Sequence, residues 1–92
     1  MDNSIKARLL YALARKRKWG ESHTDYENLF RQFKSSVLSK DILKSVRETA
    51  EELIRNGYII KKPTGYGLQV SLNPKFSIQI KKLIKENLGY DL

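Results

Sequence analysis

Between Ser39 and Pro74 the periodicity of the sequence switches from 3.6 residues to 2 with no linker between. Placed on a helix, Ile42, Leu43, Val46, Ala50, Leu53 and Ile54 fall within an arc of about 120°, which is the width of a buried stripe. Ser39 is a good N-cap and Asp41 sits near the positive end of the helix dipole. Asn56-Gly57 closes the helix, since glycine accepts the left-handed conformation that such an end requires. The β-branched and aromatic run Tyr58-Ile59-Ile60-Lys61-Lys62 follows at once. Pro63-Thr64-Gly65-Tyr66-Gly67 makes a hairpin turn, and Leu68, Val70 and Leu72 alternate with Gln69 and Ser71 on the way back. A helix over 39–56 delivered directly onto a hairpin over 58–72 is an arrangement by which small proteins present a rigid reading head to duplex DNA.

The flanks read as helix. Ile5, Leu9, Ala12 and Leu13 share one face of a helix over 4–18, with Asn3 or Ser4 as cap and Gly20 as a stop after Trp19. Its last turn, Arg15-Lys16-Arg17-Lys18, puts four cations at the negative end of the helix dipole, so the run is explained either locally or by contact with phosphate. Thr24 and Glu27 have capping-box spacing at the start of a second helix over 25–36, whose face is Tyr26, Leu29, Phe30, Phe33 and Val37. The end of that helix is unmarked, and Val37-Leu38 could equally be a short extended piece. Asn73-Pro74 starts a last helix over 74–88, with Phe76, Ile80, Leu83, Ile84 and Leu88 on its apolar face.

The expected class is therefore mainly α with a small β-hairpin, α+β, in a single domain over 1–92. The 18 Lys and Arg against 10 Asp and Glu leave a net charge of +8 and imply a polyanionic partner. Absence of cysteine excludes disulfides and thiolate metal sites, and His23 is the only histidine. No cofactor, metal or catalytic residues are expected: there is no thiol nucleophile and no phosphate-cradling loop, and Gly65-Tyr66-Gly67 lies in a hairpin. No apolar run suits a membrane span, and Lys6 and Arg8 break any signal-peptide core, so the expected location is cytoplasmic.

Charge divides along the helix over 39–56. Lys40, Lys44 and Arg47 lie on its N-terminal half, Glu48, Glu51 and Glu52 on its C-terminal half. A helix inserted by its N-terminal end would bring those cations to phosphates and bases and keep the carboxylates away. The spacing of Lys44 and Glu48 also suits an ordinary solvated pair. The two glycines flanking Tyr66 either expose its ring, where it can lie against sugar or in the minor groove, or leave it packed on its own hairpin.

The order helix, helix, helix, strand, turn, strand, helix resembles a winged helix-turn-helix domain. The resemblance is carried by Ser39-Lys40-Asp41-Ile42-Leu43-Lys44-Ser45-Val46-Arg47 as the start of a recognition helix, by Leu53-Ile54-Arg55-Asn56-Gly57-Tyr58-Ile59 as the junction into a wing, and by Leu72-Asn73-Pro74-Lys75 as its exit. It implies a DNA-binding protein, often a transcriptional regulator, whose third helix lies in the major groove while the wing touches the backbone. Carried over by position, Lys40, Lys44, Ser45 and Arg47 would face the groove, and Lys61, Lys62, Thr64 and Tyr66 would form the wing contact. Two features depart from the common pattern: the segment from Trp19 to Leu38 is long and aromatic for a tight link, and the wing tip has no arginine.

Double-stranded DNA is thus the expected partner, with Arg47 and Lys44 as candidates for guanine. The alternative is a winged-helix module for protein or RNA association without sequence-specific DNA binding, in which Trp19 either stacks an unpaired base or anchors the end of the first helix. The terminal helices can also support a homodimer through leftover apolar surface that includes Leu10 and Ile78.

Overall fold

A computed structural model describes residues 3–33 and 40–92. The chain is mainly helical with a small three-stranded antiparallel sheet. Its elements are α1 (Asn3–Ala14), β1 (Thr24–Asp25), a 3-10 helix (Tyr26–Phe33), α2 (Lys40–Arg55), β2 (Ile59–Thr64), β3 (Gly67–Leu72), a 3-10 turn (Pro74–Phe76) and α3 (Ser77–Leu88). The expected Ser39 cap, residue Val37 of the aromatic face, the Val37-Leu38 alternative and the end of the second helix fall at 34–39, outside the described residues.

One core joins all layers. Leu9, Leu10 and Leu13 of α1, Leu29, Phe30 and Phe33 of the 3-10 helix, Val46, Ala50 and Leu53 of α2, Ile59, Val70 and Leu72 of the hairpin, and Ile80 and Ile84 of α3 are buried together. Each such large side chain removed from water contributes roughly 1.5–3 kcal/mol, which a chain without disulfides needs. The inner line of α2 is Val46, Thr49, Ala50 and Leu53. Thr49 belongs there because its hydroxyl donates to the Ser45 carbonyl at 2.8 Å, so burial leaves no unsatisfied oxygen. Ile42, expected in the stripe, is 44% exposed, whereas its neighbour Leu43 packs partly buried against the core. Leu10 is fully buried in the core and cannot form part of a dimer contact as expected, whereas Ile78 is 79% exposed.

Helix ends account for the other differences. α1 stops at Ala14 instead of 18, because the amides of Arg17 and Lys18 turn back to the carbonyls of Ala14 and Leu13, with Arg17 at φ +56°. Gly20 is not the stop. Its amide donates to Leu72 O and Leu72 N donates to Lys18 O, joining the segment after α1 to β3. α2 ends by the same device, with Gly57 and Tyr58 donating to Ile54 and Leu53 and Gly57 at φ +85°.

The sheet order is β1-β3-β2, with β3 central. β1 was not expected. Thr24 pairs with Val70 and accepts at Oγ1 from Asn28, so it serves as strand residue where a capping box was expected. β2 is an edge strand, which is why Pro63 is tolerated in it opposite Leu68. Asn73 accepts from the Lys75 amide and donates to Gly57 O, tying the start of the last helical segment to the end of α2. Among the described residues no helix is long and apolar enough to cross a membrane.

Candidate nucleic-acid interface

Lys40, Lys44 and Arg47 emerge on one exposed face of α2, in a groove that continues past Leu43, Glu48 and Glu51 to Arg55. Ser45 is exposed but is not among the residues lining that groove. Lys40 and Lys44 are in no ion pair among the described residues. Arg47 is held differently. Its guanidinium donates to both Glu27 carboxylate oxygens, at 2.9 and 3.1 Å, and lies 4.4 Å from the centre of the Phe30 ring. The bond to Glu27 raises its already high pKa, so this group is a permanent cation whose fork is occupied.

A second polar link joins the 3-10 helix, α2 and β2. The Tyr26 hydroxyl donates to Glu51 at 2.5 Å, and Lys61 pairs with the other Glu51 oxygen at 3.5 Å. Burial first, then the neighbouring Glu51 carboxylate, raises the Tyr26 phenol well above its usual value, so it stays a donor. The Tyr26 bond, with the positive charges of Lys61 and Arg55 assisting, lowers the Glu51 carboxyl below its usual value. A carboxylate whose pKa is lowered by folding stabilises the protein above its unfolded pKa, and the contribution is lost as pH falls through the folded value. Because this group is partly exposed, Tyr26→Phe is expected to cost only about 1 kcal/mol at pH 7. That cost should shrink once the pH drops below the usual carboxylate range, which urea unfolding at pH 7 and pH 3 would measure.

The hairpin residues divide between two faces. Lys61 stands opposite Val70 and points to α2, whereas Lys62 stands opposite Gln69 on the outer face, beside Ile60 and His23. Lys61 and Lys62, expected together in the wing contact, thus lie on opposite faces of the hairpin, as strand alternation requires. Thr64 is occupied within the turn, accepting from the Tyr66 amide and donating to Gly67 O. Tyr66 is 96% exposed at the tip, so of its two expected placements the packed one does not occur.

Also unforeseen are Glu27, Phe30 and Tyr26 as partners of α2, and the pair of Lys6 with Glu52 at 3.3 Å that links α1 to α2. Glu52 thus turns inward, away from the exposed face it was expected to share with Glu48 and Glu51. No protein-family model matches the chain, and no significant match to a curated protein or to a solved structure is found.

Proposed function

We propose that the chain is a winged-helix DNA-binding domain of a transcriptional regulator, with α2 entering the major groove and the β2–β3 hairpin lying on the flanking backbone. The observation that carries this reading is the placement of Lys40, Lys44 and Arg47 on one exposed helical face, next to a hairpin whose Lys61 reaches the same helix. Support also comes from the succession α1, β1, 3-10 helix, α2, β2, β3, α3 with β3 central, which fits a winged helix whose second helix is a 3-10 segment. The net charge of +8 supplies the long-range attraction to a polyanion.

In this reading Lys40 is the phosphate contact at the leading end of α2 and Lys44 reaches a base edge, and Lys61 approaches the backbone from the hairpin while Tyr66 lies against sugar. Lys44 is the donor best available to guanine, because the Arg47 fork must leave Glu27 before it can reach a base. The test is a titration of mixed-sequence duplex DNA at several salt concentrations. The slope of log K against log salt should fall by about 0.9 for each phosphate contact removed. Lys40→Ala with Lys44→Ala should therefore flatten the slope by about 0.9 through the lost Lys40 contact, and should also narrow the difference between preferred and random sequences through the lost Lys44 contact. An unchanged slope in the double variant would refute the placement of α2 on the duplex.

A further inference from the structure

A second cationic surface lies around the end of α1 and shares no residue with the exposed face of α2. Two adjoining depressions meet at Tyr11 and Arg15. One, of about 520 Å³, is lined also by Arg17, Trp19, Lys81 and Leu92; the other, of about 320 Å³, adds Lys16 and Arg31. Among the described residues no Asp or Glu lines either depression, and none of these five cations is in an ion pair. The α2 face, by contrast, mixes Glu48 and Glu51 with its cations and has Arg47 already paired.

We propose that this surface binds single-stranded nucleic acid, one base stacking on Trp19 while the neighbouring phosphates lie on Arg15, Arg17 and Lys81. Three observations favour this ligand. Trp19 is half-buried and lines the depression, with the Lys81 ammonium 6.0 Å from its ring centre, near the outer limit of a cation–π contact. A flexible lysine held that loosely can yield the ring to a base and then meet the adjacent phosphate. Lys81 is also supplied by α3, so attraction of cations to the end of α1 explains Arg15 and Lys16 but not this convergence.

The conformation of Arg17 is the third. The described α1, α2 and α3 each end on a left-handed residue, and two of those residues are Gly57 and Gly89. The other is Arg17 at φ +56°, a position where a side chain adds steric strain that glycine avoids. A charged side chain kept there is accounted for by its place in the depression. A duplex keeps its base faces stacked and offers no partner to a recessed indole, whereas a single strand exposes them. An anionic membrane would instead favour apolar groups projecting from the surface.

Trp19 is the only tryptophan in the chain, so its fluorescence reports this site alone. Titration with an oligothymidylate of about 12 nucleotides at low salt, long enough for a single-strand site, should quench it, with affinity falling as salt rises. With a labelled oligonucleotide followed by anisotropy, Trp19→Leu should weaken binding about tenfold. Arg17→Gly should weaken it several-fold and flatten the salt slope by about 0.7, while its Tm is unchanged or raised because strain is relieved. Lys81→Ala gives a further test if Trp19→Leu does not fold.

Lys40→Ala with Lys44→Ala should leave oligothymidylate binding intact, which separates this site from the proposed duplex surface. The proposal fails if oligothymidylate does not quench Trp19, or if inorganic polyphosphate binds as tightly with the same quenching. It fails equally if vesicles of phosphatidylserine and phosphatidylcholine bind and the oligonucleotide does not.

Discussion

Phe30→Ala is expected to lower the stability of the domain by about 3–5 kcal/mol and its Tm by more than about 10 °C. Phe30 is 2% exposed, belongs to the core shared by α1, α2 and the hairpin, and meets Tyr26 edge-on with ring centres 5.1 Å apart. Removing the ring leaves a cavity on one side and strips the Arg47 guanidinium of its support on the other. Phe30→Leu keeps most of the volume and should cost much less, though it too loses the cation–π contact. Urea unfolding of the two variants is the measurement. A loss below about 1 kcal/mol in Phe30→Ala would mean that the 3-10 helix is not integral to the core.

Phe30 was legible as a core residue because Tyr26, Leu29, Phe30 and Phe33 recur on one face of a helical segment. Its second role was not. Arg47 and Glu27 are 20 residues apart, and no periodicity marks a contact between separate elements. The same limit hid β1: nothing in Thr24-Asp25 signals a strand, and its pairing exists only because β3 offers a free edge. By contrast, the stripe Val46, Ala50, Leu53 and the Asn56-Gly57 end of α2 are local features, and the structure places them as the residue pattern predicts. Two differences were open to sequence reasoning. Lys61 and Lys62 are adjacent in a strand, and the period of 2 alone places them on opposite faces. At the end of α1 the left-handed position falls on Arg17, three residues before the glycine that a sequence pattern favours as the stop.

If α2 enters the groove as proposed, Glu27→Gln should tighten duplex binding roughly tenfold, reflecting about 1 kcal/mol from the released exposed ion pair and the loss of one negative charge near the phosphates. Glu27 now occupies both arms of the Arg47 fork, the same two-pronged donor that a guanine edge would need. Pairing within the protein and reading of a base are thus competing uses of a single group. Glutamine preserves the size of the side chain but not its charge, which weakens its hold on the guanidinium. Arg47→Ala in the Glu27→Gln background should then remove the gain. It should also cost about 1–3 kcal/mol more on a preferred sequence than on a random one, as expected for one bidentate base contact. A double-mutant cycle on duplex affinity at fixed salt measures this coupling. Equal affinities for Glu27→Gln and the parent protein would show that Arg47 remains a buttress on Phe30 when DNA is bound. The reading of sequence would then rest on Lys44.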